Sequence, residues 1–354
     1  MNPIGLNSKR LKVALSASIA AMSAVIAAPA WSEGIPQRVQ ALESEVAALQ
    51  RVLMPVQEVI TCGAGRTVND VLADHAEDTG RLEILISGVC VDPIVINRSN
   101  VTLSGQGTAI VQVPTPGTVF AISIVGNVRE VRVKDLTIIG GATAGVVVNQ
   151  GAHAIVSNVI VQGAGSGAMA LDNGVMDLTA SEIRNNTQGA YAVRGGLVNI
   201  SSSTLHDNTV GAIAFKGGNI LFTSSNPEIS TGGPGPVVRN NNTGVVARSG
   251  GNIELSDTTI ENNAGVGILA DTGGTVHLFV RLWNTSVGNR ISGHPGAGLQ
   301  LNKNSNFVAS DLSNVITGNG RGIVCHPSTG YVVPANFVTN VTGNTFGDIL
   351  GCTP

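Results

Sequence analysis

Four side chains with useful chemistry stand at one register of a repeated segment. Arg184, His206, Arg239 and Glu261 each follow an apolar residue, in Ile183-Arg184, Leu205-His206, Val238-Arg239 and Ile260-Glu261. Guanidinium and imidazole groups donate hydrogen bonds, a carboxylate accepts them, and histidine titrates near neutrality. On successive turns of a coil these four would form a mixed-charge strip able to hold a polar chain such as a glycan. The competing reading is an ordinary solvated strand face. Asp177, Glu182 and Glu254 are expected on the neighbouring strand. They are too scattered for a calcium loop or for the paired carboxylates of a glycosidase. No catalytic residue, cofactor pattern or metal site is read, because the histidines are not clustered and the four cysteines include no Cys-x-x-Cys pair.

A strip of this kind needs a repeating scaffold, and the sequence supplies one. Ile183-Arg184-Asn185-Asn186, Leu205-His206-Asp207-Asn208, Val238-Arg239-Asn240-Asn241 and Ile260-Glu261-Asn262-Asn263 are copies of one segment, with Ile316-Thr317-Gly318-Asn319 later and Val159-Ile160-Val161-Gln162 earlier. Their spacing is mostly 22 to 25 residues, with one 33-residue step that holds an insertion between Asn226 and Pro236. Such a period marks a solenoid. In each copy a glycine follows three residues after the asparagine (Gly189, Gly211, Gly244, Gly322), then come a short apolar strand, a Gly-Gly turn and a third strand. The fold class expected is all-β: a right-handed parallel β-helix with three strands per coil, over residues 56–354, preceded by a short helix. Coils stack ~4.8 Å apart, so Asn186, Asn208, Asn241, Asn263 and Asn319 should form a ladder of amides, in a turn conformation that asparagine tolerates.

Composition agrees with repeated short strands. Glycine accounts for 45 of 354 residues, while aromatic residues are only 3% and charged residues 12%. The core must therefore be Val, Ile, Leu and Ala. Without Lys9, Arg10 and Lys12 the net charge falls from −3 to about −6, and no basic run is present, which argues against nucleic acid as a partner. Those three basic residues, the apolar stretch from Val13 to Ala28 and Ala28-Pro29-Ala30 form the pattern of a secretory signal over residues 1–30. The expected location is secreted or periplasmic, with no membrane span once the signal is removed.

Residues 31–55 hold a short heptad helix, with Ile35, Val39, Leu42, Val46, Leu49 and Leu53 at alternating four- and three-residue steps. It either lies on the protein's own body or joins copies into a homo-oligomer through residues 35–53. Thr67 should cap a helix running to about Glu77, covering the open edge of the first coil. Cys62 and Cys90 lie near one end of the array and Cys325 and Cys352 near the other. Those two pairings are expected as disulfides, since the alternatives would run the length of the solenoid.

From Cys62 and Thr67–Leu72, through Ile84-Leu85-Ile86-Ser87-Gly88-Val89-Cys90, to Asn100-Val101-Thr102-Leu103-Ser104-Gly105, the chain resembles the opening of pectin-lyase-like β-helix proteins. Its Asn-Asn-x-x-Gly coils are similar to β-helix repeats of carbohydrate-binding and sugar-hydrolase proteins, and the resemblance covers about residues 60–330. It implies the fold and a carbohydrate context, while the superfamily holds enzymes and noncatalytic adhesins alike. The lyases' R-x-P-x-x-R, the polygalacturonases' N-T-D, D-D and G-H-G, and the epimerases' D-P-H-E are absent; Gly293-His294-Pro295-Gly296 is the nearest approach. Met169, Tyr191, Ile213, Val246 and Leu269 share one register beside small alanines. Either the large residues point in and the alanines line the exterior, or the alanines point in and an apolar stripe is exposed; related repeats turn the residue after the glycine inward, which would expose Met169, Tyr191 and Ile213.

The reading is a secreted β-helix, noncatalytic, that binds or presents to a polysaccharide or surface partner. The alternatives are a diverged polysaccharide lyase or hydrolase, and a structural or self-associating surface protein.

Overall fold

The computed structural model describes residues 39–44, 55–114, 119–223, 235–279, 288–309, 313–326 and 340–352, and the chain divides into two units, Met1–Met54 and Pro55–Pro354. In the first unit, residues 39–44 are helical, with Val39 and Leu42 about half exposed. The expected signal at 1–30 and the rest of the 35–53 heptad lie outside the described residues.

The second unit is a right-handed parallel β-helix. One coil runs through Val175–Thr179, Glu182–Arg184 and Gln188–Val193, and the next through Leu197–Ser201, Thr204–His206 and Val210–Phe215. Each strand pairs in parallel with its counterpart one coil on. These positions define faces 1, 2 and 3. Face 3 is a sheet of 11 strands, whereas faces 1 and 2 join in one sheet of 19. The join is made in the early coils, where a single long strand such as His153–Gln162 bends through both faces.

Each corner needs a backbone conformation that ordinary residues avoid, and its position explains where Asn, Asp and Gly fall. Between faces 1 and 2 one residue turns the chain with φ near +50°, at Asp135, Asn158, Ala180, Ser202 and Asp257. Between faces 2 and 3 the turning residues are Asn185, Asp207, Asn240 and Asn262, then Gly293 and Gly318. This corrects one expectation. The left-handed residue is the one before each ladder asparagine, so the ladder side chain is free to point inward.

There it bonds along the stack. The backbone N–H of Asn208 donates to Asn241 Oδ1 at 2.9 Å and the Asn208 amide nitrogen to the same oxygen at 3.1 Å; Asn186 and Asn241 repeat the pattern on Asn208 and Asn263. Asn319 continues it to Asn344, whose amide donates to Asp348 Oδ1. The glycine three residues after each asparagine is required by this packing. A Cβ at Gly189 would strike the Gly211 carbonyl oxygen and lie 3.1 Å from Asn208 Nδ2.

One column of the interior is Ile183, Leu205, Val238, Ile260, Ile291 and Ile316, all fully buried. In the middle coils face 3 contributes only Ala190, Ala192, Ala212 and Ala214 to the same core that holds Met176 and Phe222, small residues balancing large ones at close-packed density. The earliest copy is aligned differently from expectation: Val161, not Val159, pairs with Ile183. Val159 starts face 2 two residues earlier because the bend at Asn158 lies inside a continuous strand.

The N-terminal end is closed by the helix Val68–Asp74, capped by Thr67 and Asp70 in a reciprocal box and burying Val68, Val71 and Leu72. It ends at Asp74, three residues short of the expected Glu77, because the chain turns at His75, whose ring is held by Asp78 and Glu58. Cys62–Cys90 and Cys325–Cys352 are both disulfide-bonded, with Cα atoms 4.8 and 5.0 Å apart.

Candidate functional site

Arg184, His206, Arg239 and Glu261 are stacked partners on face 2, in that order along the axis. They flank a fully buried residue on a short strand, so they point outward. The other outward position carries Glu182, Thr204, Val237 and Thr259. Glu182 thus lies on the same strand as Arg184, while Asp177 lies on face 1, which corrects the expectation that the carboxylates share a neighbouring strand.

Glu182 is the centre of the local polar network. Its Oε1 lies 3.0 Å from His206 Nε2 and 3.3 Å from Arg184 Nη1, and His206 Nδ1 lies 2.6 Å from Asp207 Oδ2. Both ring nitrogens of His206 are therefore engaged by carboxylates from two successive coils. His206 is only 12% exposed in its side chain, so this ring is fixed in place rather than free to sweep solvent.

Beside this network runs a groove of about 650 Å³. Its floor follows the corner between faces 1 and 2, with Asp135, Asn158, Ala180 and Ser202, and its wall is face 2, with Thr137, Glu182, Thr204, His206 and Arg239. Gly107, at one end, belongs to a coil whose strand register shifts between Ser104 and Ala109. The groove therefore touches six coils and extends on the order of 24 Å at ~4.8 Å per coil. Asn158 donates to Asp135 Oδ1 at 2.7 Å within it.

A second internal ladder stiffens this corner. Ser181 Oγ accepts from the Val159 N–H and Ser203 Oγ from the Ser181 N–H, then Asn289 accepts from Thr258 and Asn314 from Asn289. These residues escaped the sequence reading because Ser, Thr and Asn interchange in the column, leaving no single letter to recur.

The four residues that share one register in the sequence are divided by the structure. His206 and Arg239 line the groove, Arg184 pairs with Glu182 beside it, and Glu261 continues the column beyond Arg239 without lining the groove. On face 1, Asp177 accepts from Asn199 at 2.6 Å and meets His153 at 2.8 Å. Burial pushes its carboxyl up, but the bonds to His153 and Asn199 outweigh this and hold it below the usual value.

Gly293-His294-Pro295-Gly296 has an unexpected place. His294 is a rung of the asparagine ladder, 1% exposed. Its Nδ1 accepts from the Asn263 N–H at 3.1 Å, its Nε2 faces the Ile260 carbonyl at 3.2 Å, and its own N–H donates to Asn319 Oδ1. Burial lowers its pKa to about 4, against the bond to the Ile260 carbonyl that raises it.

The apolar column faces outward as expected, for Ala190 and Ala212 are in the core while Tyr191 and Ile213 are not. It is not exposed, however. Met169, Ile213 and Val246 are 9%, 5% and 6% accessible, and Met169 packs with Ala144, Val147, Leu171 and Val193 as a second apolar cluster, with Phe120, Tyr191 and Phe215 against it. In-register stacking sets each side chain between its neighbours above and below, and the adjoining outward columns cover its flanks. Among the described residues no group of three or more His, Cys, Asp or Glu is placed to hold a metal ion, and no helix is long and apolar enough to cross a membrane.

This stack of corners, ladders and parallel faces is that of the right-handed β-helix proteins. Residues 120–282 match the family model for the right handed beta helix region. Among solved structures the chain is similar to the A-module of the Azotobacter vinelandii mannuronan C-5 epimerase AlgE6, with 12% identity, 79% of this chain and 92% of that chain covered, and a TM-score of 0.51. The AlgE4 A-module from the same organism gives 12% identity, 83% and 94% coverage, and a TM-score of 0.44. At this identity the likeness is one of fold. No curated protein matches by sequence.

Proposed function

We propose that this protein is an exported, noncatalytic β-helix that binds a polysaccharide chain along the face 2 groove. The observation that carries the reading is the groove itself: an open channel across six coils in which Thr137, Asn158, Ser202 and Thr204 with Glu182, His206 and Arg239 alternate with Leu136, Val159, Ile160 and Ala180. Hydroxyl and amide groups at the spacing of stacked coils suit the repeated hydroxyls of a sugar polymer. The Glu182 carboxylate is already engaged by His206 and Arg184, which supports positioning rather than proton transfer as its role. The fold it shares with an epimerase module named for mannuronan supports a carbohydrate context. Two disulfides support an oxidising compartment.

The test is a glycan array probed with the full chain and with Glu182→Gln/Arg239→Gln, beside an assay for unsaturated uronate release. Binding that the double variant loses, without turnover, supports the reading. Turnover selects the diverged lyase or hydrolase, and absence of any glycan bound by either protein removes the proposal. The exposed Val39 and Leu42 support a second role, self-association through residues 35–53. Light scattering should then give an oligomer that a chain starting at Val56 does not form.

A further inference from the structure

Face 3 is an 11-stranded parallel sheet with two edges, the strand Ile94–Ile96 at one end and the strand Ile349–Leu350 at the other. Among the described residues each pairs on one side only, with Phe120–Ile124 and with Arg321–Cys325. Followed from coil to coil, Ile94 and Ile349 are the first and last members of one inward column, and Val95 and Leu350 of one outward column. Neither strand carries a charge or a proline, two of the usual guards of an exposed edge.

Hydrogen bonding across this sheet follows one rule. A residue donates to the carbonyl one position before its partner in the next coil and accepts from the N–H one position after it. Ile323 donates in this way to the Asp348 carbonyl at 2.8 Å, and the Leu301 carbonyl accepts from the His326 N–H at 2.8 Å. Alternate residues of a strand thus serve the coil before and the coil after. At the first edge the backbone groups that face away from the array are the Pro93 carbonyl and the Val95 N–H. At the last edge they are the N–H and the carbonyl of Ile349, which have no partner among the described residues. By the same rule, Ile349 of a second copy set in register with Ile94 would donate to the Pro93 carbonyl and accept from the Val95 N–H. The two ends are therefore matched strand edges in the register of the repeat itself.

Both groups at the first edge are already engaged. Asn69, on the helix Val68–Asp74, donates from Nδ2 to the Pro93 carbonyl at 2.7 Å and accepts at Oδ1 from the Val95 N–H at 3.0 Å. Its side-chain amide makes the two bonds that Ile349 of a second copy would make. The helix packs against this strand, so the helix and an incoming coil compete for one place. It does not cover the outward column: Val95 is 44% exposed, whereas Val147, two coils on, is 1%. Leu350 of a second copy would lie against Val95. The other end completes its ladder without a further coil. Asp348 Oδ1 accepts from the Asn344 N–H at 3.1 Å and from its Nδ2 at 2.8 Å, the pair of bonds that Asn208 gives to Asn241. Only the Ile349 peptide groups are left to meet a partner there.

We propose that the helix Val68–Asp74, with Asn69 as its catch, is an autoinhibitory cap over a docking edge for the Ile349–Leu350 edge of a second copy of this chain. Copies add head to tail once the cap is displaced. Such a contact joins unlike surfaces and does not close on itself, so it grows rods along the solenoid axis rather than an oligomer of fixed size. It needs neither the face 2 groove nor residues 35–53.

Chemical linking of the full chain tests this. One batch carries Val95→Cys and a second Leu350→Cys; the two are mixed and treated with a short bismaleimide, so that a link between positions 95 and 350 joins two copies. With the cap intact the yield should be low. With Asn69→Ala/Leu72→Ala added to both batches it should rise at least about tenfold, and light scattering should show growth without a fixed end mass. Asn69→Asp keeps the acceptor for the Val95 N–H and loses the donor to the Pro93 carbonyl. It should give an intermediate yield, and it carries the test if the double variant does not fold. Ile349→Pro removes the incoming donor and should return the yield to the level of the intact cap. The proposal is overturned if the loosened caps give no more of the 95–350 link than the parent, or if Ile349→Pro changes nothing. Links that join position 95 to position 95 would also overturn it, since like ends would then be meeting. Linking that stops at a fixed mass and requires residues 35–53 would assign the contact to the heptad instead.

Discussion

The corner behind face 2 and the outer column of face 2 lie only two residues apart in each coil, yet they obey different rules. Asn186, Asn208, Asn241 and Asn263 repeat without variation, buried to 5% or less. Arg184, His206, Arg239 and Glu261, at the equivalent outward positions, change charge from coil to coil. Inside, each rung must accept from the coil before it and donate to the coil after it, and any residue unable to do both leaves a buried amide unpaired. Outside, water satisfies whatever the neighbour does not. Uniformity in a column of a solenoid therefore marks a structural requirement, and variety marks freedom that function can use.

His294 tests this contrast most severely, as the rung that departs from asparagine. A neutral imidazole can replace the amide because Nδ1 accepts while Nε2–H donates to the Ile260 carbonyl. A second proton on Nδ1 would face the Asn263 N–H. With a folded pKa of about 4 against an ordinary 6.5, the unfolded chain takes up the proton first as pH falls. The stability that His294 contributes is complete above 6.5 and is lost between there and about 4. The expected loss is roughly 3 kcal/mol over that window. His294→Asn should remove this part of the acid sensitivity. Denaturant midpoints at several pH values check it, and parallel curves for the two proteins would refute the role given to His294.

Next in size is Asn208→Ala, which strips the acceptor from Asn186 and the donor toward Asn241 and should cost about 1–3 kcal/mol. Asn302→Ala, away from the ladder, is its control. Equal melting temperatures for the pair would break the distinction between inner and outer positions. Glu182→Gln, which loosens His206 and Arg184 on the outer column, should cost under about 1 kcal/mol, because its partners sit at the solvent boundary. Its larger effect is expected on glycan binding. Glu261→Gln should change stability by no more than about 0.5 kcal/mol and leave groove binding intact, since Glu261 is not among the groove residues. A binding defect equal to that of Arg239→Gln would extend the groove by one coil.

The period, the ladder and the two disulfides were legible in the sequence because each is a recurrence or a pairing at the ends of one array. A repeat of constant length brings its copies into register wherever the coils lie, so Asn208 and Asn241 can be matched from spacing alone. Other features depended on which atoms the stack brings together. In sequence, Gly293-His294-Pro295-Gly296 is only the nearest approach to G-H-G; the stacking of coils is what puts the His294 ring in the place of an amide. Ser181, Ser203 and Asn289 share a role through one oxygen and no common letter. The contacts of Glu182 with His206 join residues 24 positions apart, and their strand assignment turned on single corner residues such as Ala180. Whether Met169 and Ile213 were exposed could not be read from their outward facing, because accessibility is set by the neighbours above, below and beside them. The sequence by itself determined the coil and its asparagine rungs, since both follow from periodicity. The tertiary structure decided the groove, the buried histidine and the covered apolar column, since these depend on the distances between coils.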